Sequence, residues 1–381
     1  MPLIKSNSAL IAFDETSFSS STNFNFISYM QSMSLDIKIN RINSKHIGNS
    51  KSLVNQFVEP EITLNLNMLH TKDFFNEMLF GFSFSSSIYD ETFLIDKIIS
   101  NFYNKNSFIL FSEIQGNDLI YSNLNSSMNS ISLGNLFIEN YSMSYKINEI
   151  PTVSVGFSCN NLKIDKITNL LKLKNWDESE IQLSNSLFDN LKLITPNADQ
   201  LVYVMNGLSS SSTFNTNENY LGPNISNLLT GIIQSLDCSI NFNRNKLYFF
   251  NKTNQPQDRK ILLPINGNLK ISGICNEFDI GNIKNFFEDN SSFSLTVDIL
   301  DEVKSTSSTI IYNELVIESF SYSINLNGFL EYSLECSFQM TNKSGIKVIK
   351  VGKPNNLFGK IQTSNLEDLK SSDGFFFYIK N

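Results

Sequence analysis

The chain repeats itself at long range, and that repetition limits what it can fold into. Residues 31–41, QSMSLDIKINR, align without a gap on residues 234–244, QSLDCSINFNR, with five of 11 positions identical. The apolar pattern agrees more closely than the identities do: Met33, Leu35, Ile37 and Ile39 stand opposite Leu236, Cys238, Ile240 and Phe242. Both stretches alternate with period two, which marks a strand with one buried face. The 381 residues are enough for two ordinary domains, so the reading is two β-rich modules in tandem.

The offset of 203 continues through a loop of equal length, beyond which Ile62, Leu64 and Leu66 lie over Ile265, Gly267 and Leu269. A stretch with helical spacing follows in each half, marked by Phe74, Phe75, Met78 and Leu79 in the first and by Phe278, Ile283, Phe286 and Phe287 in the second. Each reads as one short amphipathic helix laid on the sheet. Residues 136–159, LFIENYSMSYKINEIPTVSVGFSC, then align with 315–338, LVIESFSYSINLNGFLEYSLECSF. Each block reads as two strands around a turn, which in the second copy is Asn327-Gly328. The apolar phase slips between Ile138 and Tyr141, and again between Ile317 and Phe320, which predicts a β-bulge at the same place in both copies.

By this block the offset has fallen from 203 to 179, so the first half carries 24 extra residues, assigned to an insertion at about 83–106. The boundaries expected are a first module at 1–163, a helical connector at 164–214, a second module at 215–341 and an extension at 342–381. The spacing of Ile167, Leu170, Leu171 and Leu173, and of Ile181, Leu187, Phe188 and Leu191, predicts the connector helices. The extension ends on Phe375-Phe-Phe-Tyr378, read as either a last edge strand or an arm that docks on a neighbour.

Hydrophobic residues make up 41% of the chain, enough to fill a sizeable core, while charged residues reach only 17%, below the usual quarter. Asn and Ser take their place. An A+T-rich genome produces such a composition, and a weakly charged polar surface also suits a protein that packs against copies of itself. The formal net charge is −8, and no stretch clusters Lys and Arg with aromatics, which argues against a protein that grips nucleic acid by its phosphates. Cys159, Cys238, Cys275 and Cys336 are scattered, no CxxC occurs, and the histidines are His46 and His70; buried reduced thiols are expected and a zinc site is not. The start, MPLIKSNSALIAF, makes a poor signal peptide, and no run approaches the ~18 apolar residues of a membrane span. The reading is a soluble protein made in a cytoplasm.

The chain has no phosphate loop, no dinucleotide fingerprint after a strand, no HExxH and no GxSxG elbow. Asp298, Asp301 and Glu302, at a strand end beside a Ser/Thr loop, read as solvated acids before they read as an acid–base pair or calcium ligands. Glu139 and Glu318 are equivalent in the two copies. Their expected role is structural: capping the bulge backbone, or pairing with a neighbouring subunit's Lys or Arg. No catalytic, cofactor-binding or metal residue is assigned, and no enzymatic activity is expected.

Each module runs strand, long polar loop, strand, helix and closing hairpin, as in NYSMSYKINEIPTVSVGFSC. In that order and that hairpin the sequence resembles the tail tube proteins of tailed bacteriophages, over roughly 24–160 and 215–341. The resemblance implies a mainly β protein with two tandem tube-like β-sandwich or barrel modules. In this variant three chains complete a pseudo-six-fold ring, and stacked rings form the virion's tail tube around a channel for DNA passage. It implies no cofactor. The partners implied are the chain itself, through ring and stacking contacts, and other tail proteins such as sheath, tape measure and baseplate or terminator; DNA would pass without specific binding. The candidate lumen and interface residues are Asp36, Lys38 and Asn40 in the first copy, Ser239 and Asn241 in the second, and Glu139 with Glu318. The loops 43–60 and 246–263 match the family's loop that reaches the adjacent ring. The insertion and the extension, which a plain tube does not need, are expected to decorate its outside. A baseplate hub or tube initiator built from the same doubled module, and a carbohydrate-binding virion adhesin, are the alternative readings.

Overall fold

The computed structural model describes residues 9–14, 23–27, 29–39, 41–45, 52–57, 60–71, 74–87, 89–100, 105–112, 128–146, 149–159, 161–167, 182–183, 201–206, 232–247, 258–274, 293–300, 306–324, 328–341, 343–350 and 374–377. The first half contains β1 (Ala9–Asp14), β2 (Asn23–Phe26), β3 (Met30–Lys38), β4 (Arg41–Lys45), β5 (Ser52–Phe57) and β6 (Glu61–Leu69). It continues with α1 (Phe75–Leu79), α2 (Asp96–Ser100), β7 (Lys105–Ser112), β8 (Met128–Lys146), β9 (Thr152–Cys159) and β10 (Asn161–Ile167). β11 (Gln182–Leu183) and β12 (Leu201–Asn206) follow. The second half contains β13 (Ile232–Asn241), β14 (Arg244–Leu247), β15 (Asp258–Ile261), β16 (Ile265–Ile274), β17 (Phe293–Leu300), β18 (Thr306–Ile324), β19 (Leu330–Met340), β20 (Ile346–Lys350) and β21 (Gly374–Phe377). The protein is mainly β, as expected.

One sheet runs through both halves in the order β3-β6-β9-β8-β13-β16-β19-β18, antiparallel throughout. Each half adds a second layer: β11-β2-β1-β7-β8-β10 in the first and β21-β12-β17-β18-β20 in the second. The 19-residue strands β8 and β18 belong to both layers. They cross over at Asn135 (φ 54°) and Glu314 (φ 55°), left-handed residues that turn a strand out of its plane. The side chains between the layers form the core. In β6, Ile62, Leu64, Leu66 and Met68 are buried and alternate with Glu61, Thr63 and Asn65, which face outward. Rings cross the gap, with Phe13 5.3 Å from Phe157 and Tyr312 6.1 Å from Phe338.

Backbone irregularities recur at equivalent positions of the two halves. β3 shifts register on β6 between Met30 and Ser32, and β13 shifts on β16 between Ile233 and Ser235, bracketing Gln31 and Gln234. The predicted bulges are present at Glu139 and Glu318, where β8 and β18 slip on β9 and β19. The alignment beyond the long loop needs correcting. Leu64 pairs with Leu35, whereas the partner of Cys238 is Leu269, so Leu64 corresponds to Leu269 and not to Gly267. The error is two residues, an even shift that keeps every side chain on its own face. With the correct register Ile62 corresponds to Gly267. Ile62 pairs with Cys159 and Gly267 pairs with Phe338: one half has large against small, the other small against large, a volume-conserving exchange.

Outside the core, α1 carries the helix expected around Phe74–Leu79, while its expected counterpart at 278–287 lies outside the described residues. Within 164–214 the described residues belong to strands β10, β11 and β12, and the rest of the stretch lies outside them. In the extension, β20 pairs with β18 and β21 with β12, so the Phe-rich end is a sheet edge strand. The insertion does not simply decorate the outside. Ser85 N donates to Val348 O (2.8 Å), Leu94 N to Ile346 O (2.8 Å) and Lys350 N to Ser85 O (3.1 Å), so the segment supplies the hydrogen-bond partners that β20 needs on its far flank. It ties the first half to the second.

Gly267 lies directly under the buried Phe338 ring, and any Cβ there would overlap it. Gly267→Ile alone is expected to lower stability by about 1–3 kcal/mol or more. Combining it with Phe338→Cys, which reproduces the Ile62–Cys159 pair, should recover most of that loss in urea unfolding curves; a double variant worse than both singles would contradict the exchange.

Candidate assembly surface

The shared sheet has one apolar and one polar face, because its strands alternate with period two over their whole length. Asp36 and Lys38 on β3, and Ser239 and Asn241 on β13, are exposed on the polar face, the β13 pair alternating with the buried Cys238, Ile240 and Phe242; Asn40 lies outside the described residues. Thr63, Asn65, Asn266 and Asn268 extend the same face. Its ion pairs, Lys38–Glu61 at 3.7 Å and Lys270–Glu335 at 3.4 Å, are solvent-exposed and contribute at most about 1 kcal/mol each. A cavity of about 370 Å³ opens over the middle, lined by Ser142, Ser144, Ser154, Asp237, Asn268 and Lys270 among others. Hydroxyls and amides dominate it, and among the described residues no group of three or more His, Cys, Asp or Glu converges.

The middle of the sheet is also the joint between the halves. β13 runs antiparallel to β8, with Leu236 against Tyr145, Cys238 against Met143 and Ile240 against Tyr141. Phe82, just before the insertion, packs on Tyr141 (4.7 Å) and Phe242 (6.3 Å) and so covers the joint from the apolar side. On the polar side the Ser144 hydroxyl donates to the Asp237 carboxylate. Burial pushes the Tyr141 and Tyr312 hydroxyls well above the ordinary tyrosine range. It pushes Cys238 and Cys336 up to about 12, and Cys159 up to about 11 even though the latter thiol lies 2.9 Å from Asn161 O.

Glu139 anchors the end of this joint. Its bulge leaves backbone carbonyls outside the ladder, and residues of the second half take them up: Phe242 N donates to Glu139 O (2.8 Å) and Arg244 Nε to Ile138 O (3.0 Å). The Ser158 hydroxyl donates to Glu139 Oε1, and Arg259 Nη1 donates to Ser158 Oγ. Arg259 also lies 3.6 Å from Glu139 Oε1, and Arg244 Nη1 donates to Arg259 O (3.0 Å). Both guanidinium groups lie over Phe137, at 5.3 and 5.5 Å. The Glu139 carboxylate thus accepts from the Ser158 hydroxyl and pairs with an arginine from the other half of the same chain, where an arginine or lysine of a neighbouring subunit was expected. Arg259 also shows that the stem of the 246–263 loop grips the first half.

Glu318 has the same bulge and the same hydroxyl partner, Ser337. It is exposed, and among the described residues no ion pair reaches it. Among the described residues β3 has a strand neighbour only in β6, and the second half of β18 only in β19. Ile37 and Ile39 are 50% and 60% exposed, while their counterparts Ile240 and Phe242 are 0% and 1%. Val316 and Ile324 are 42% and 73% exposed, while their counterparts Phe137 and Tyr145 are 5% and 2%. The two ends of the sheet therefore present, open, the residues that the internal joint buries.

Beside the joint, the buried His70 and Glu77 of α1 share a hydrogen bond of 2.8 Å (Nδ1 to Oε1), with the imidazole edge-on to Phe74 and 5.7 Å from Tyr145. His46, Asp301 and Glu302 lie outside the described residues. Sequence reasoning passed over Arg244, Arg259, Ser158 and Val316. The signal for two of them was in the aligned blocks: Arg41 with Arg244, and Ser158 with Ser337, are identical pairs.

No family model matches the chain, and no curated protein matches it. Among solved structures the chain is similar to one from the anti-feeding prophage baseplate, six-fold symmetrised, with 9% identity, 40% of this chain and 93% of that chain covered, and a TM-score of 0.26. It is also similar to a chain from the tail of an empty GTA particle with C6 symmetry, with 16% identity, 32% of this chain and 83% of that chain covered, and a TM-score of 0.23.

Arg259→Met keeps the apolar stem over Phe137 but removes the charged hydrogen bonds, and is expected to lower stability by about 1.5–3 kcal/mol in urea unfolding. The cysteines give a pH-dependent check. With folded values raised to about 11 and 12, the native thiols of Cys159, Cys238 and Cys336 are almost wholly protonated at neutral pH. Alkylation at these three cysteines, mapped by mass spectrometry, should be negligible at about pH 8, where a free thiol near pKa 8.5 reacts. It should rise as the pH approaches 11 or on addition of denaturant.

Proposed function

We propose that this chain is a self-assembling structural protein of a tailed-phage virion, forming the tail tube as stacked rings around a channel through which DNA passes. The observation that carries this reading is the open joint: both ends of one sheet expose the apolar residues that the middle of the same sheet buries. A sheet with two such complementary ends adds copies head to tail, and the addition either runs on as an open fibre or closes into a ring. Closure removes every edge. The matched bulges and crossovers support an internal duplication, and the tail-tube resemblance implies three chains in a pseudo-six-fold ring.

In that ring the polar face, with Asp36, Lys38, Asn40, Ser239 and Asn241, lines the channel. Its lysines Lys38 and Lys270 are each ion-paired to a glutamate of the same face, so the wall offers DNA no cluster of uncompensated cations to stick to. The role is architectural and not enzymatic, and needs no cofactor. The partners are further copies of the chain and the other tail proteins, such as sheath, tape measure and baseplate or terminator. A baseplate hub or tube initiator is the second reading, because the open joint favours ring closure without requiring rings to stack.

Negative-stain images of the purified chain should show rings with a central hole that stack into tubes. Single rings alone would favour the hub, and compact monomers at high concentration would contradict both. A Ser239→Lys and Asn241→Lys variant should still form rings but retain DNA with strong salt dependence. Unchanged DNA retention would remove those residues from the channel wall.

A further inference from the structure

The internal joint is a template for the contact between chains, and it fixes that contact residue by residue. Resting on the self-assembly reading, we propose that β3 of one chain adds to β18 of a second copy in the register that β13 and β8 already use, with Arg41 of the first docking on the Glu318 bulge of the second. β8 and β18 correspond through their crossovers at Asn135 and Glu314 and their bulges at Glu139 and Glu318. β13 and β3 correspond through their bulges at Gln234 and Gln31. Carrying the observed pairs across, Ile240 with Tyr141 becomes Ile37 with Phe320, and Cys238 with Met143 becomes Leu35 with Tyr322. Leu236 with Tyr145 becomes Met33 with Ile324, and Asp237 with Ser144 becomes Ser34 with Ser323.

Over Met33–Lys38 this register puts every apolar residue of β3 against an apolar residue of β18, and every polar one against a polar one. A slip of one residue would set Ile37 against Ser319 or Ser321 and lose the match on both faces. The exposed Ile37, Ile39, Val316 and Ile324 are then covered as Ile240, Phe242, Phe137 and Tyr145 already are. The bulge gives an independent second point of contact. At the internal joint its carbonyls accept from Phe242 N and Arg244 Nε, for which Ile39, just after β3, and Arg41 of β4 are the corresponding residues. Glu318 with Ser337 is already arranged as Glu139 with Ser158 is, a carboxylate and hydroxyl at the exposed end of the sheet that fit a guanidinium. The second arginine is not repeated. Where Lys246 pairs with Arg259, Asn43 pairs with Asn55. The contact between chains therefore has one guanidinium where the internal joint has two, and it should release before the halves separate.

The test is a cysteine pair. The counterparts of Ser34 and Ser323, Asp237 and Ser144, are in side-chain contact, which suits a disulfide between facing strands. Under mild oxidation a Ser34→Cys/Ser323→Cys chain should give a reducible ladder ending at a closed species. A mixture of the two single variants should stop at dimers, and Ser34→Cys/Ser321→Cys should give far less product. Rings that form without the Ser34–Ser323 cross-link, or that cross-link better through the shifted pair, would overturn the register while leaving self-assembly standing; a chain that never assembles would overturn both. In parallel, Arg41→Gln and Glu318→Gln should each raise the concentration needed for assembly about tenfold without moving the monomer's melting temperature, whereas Arg244→Gln should lower the latter. Wild-type assembly by Arg41→Gln would remove the arginine from the contact.

Discussion

A strand inside a sheet needs hydrogen-bond partners along both flanks, because an unpaired buried amide or carbonyl costs as much as the bond it lacks. At the centre of this molecule β8 and β13 meet that need for each other, across the boundary between the two halves. The rest of the architecture is arranged around that pairing. β8 and β18 leave their first layer at a left-handed residue and enter the shared sheet through a bulge. At β8 the bulge turns two carbonyls outward, where the Phe242 amide and the Arg244 side chain of the other half take them up. The insertion, which a free-standing module would not need, closes the far edge of β20, and Phe82 just before it packs over the joint.

Magnitudes show which forces hold the joint. Burying side chains such as Ile240 and Phe242 is worth about 1.5–3 kcal/mol each, while the exposed ion pairs of the polar face contribute at most about 1 kcal/mol each. Arg244 and Arg259 differ from those surface charges. They are aimed at fixed acceptors and stacked over Phe137, so they act on registry as well as on stability. The apolar contacts supply the attraction, and the bulge with its arginines decides which residue meets which. The same division of labour explains why a polar face of Ser, Thr and Asn with a few paired charges can be left to solvent without weakening the sheet.

Much of this could be read from residues 31–41 and 234–244, whose strict alternation announces strands, and from the phase slips at Glu139 and Glu318, which announce bulges. Other features gave no local signal. The true counterpart of Ile62 is Gly267, but a two-residue error leaves the alternation intact, and only the pairing of β6 with β9 and β16 with β19 exposes it. In the stretch before β13, the residues whose spacing reads as helical lie almost wholly outside the described ones, and those described are in β10, β11 and β12, which pair with β8, β2 and β17. Arg259 carries no mark in the sequence at all. Its partners Ser158 and Glu139 are about 100 residues or more away, and that kind of contact is legible only once the chain is folded.

The account rests on the claim that the outer edges of β3 and β18 are unfinished alone and completed by other copies. Hydrogen–deuterium exchange, followed at peptide level below and above the assembly concentration, tests this directly. The account predicts that the outward-facing amides of Met33–Lys38 and of Ser319–Ile324, those not already bonded to β6 and β19, exchange quickly in the dilute chain and become as protected as those of β13 on assembly, while β8 and β13 are protected in both states. Fast exchange along β3 and β18 in the assembled particle would contradict it.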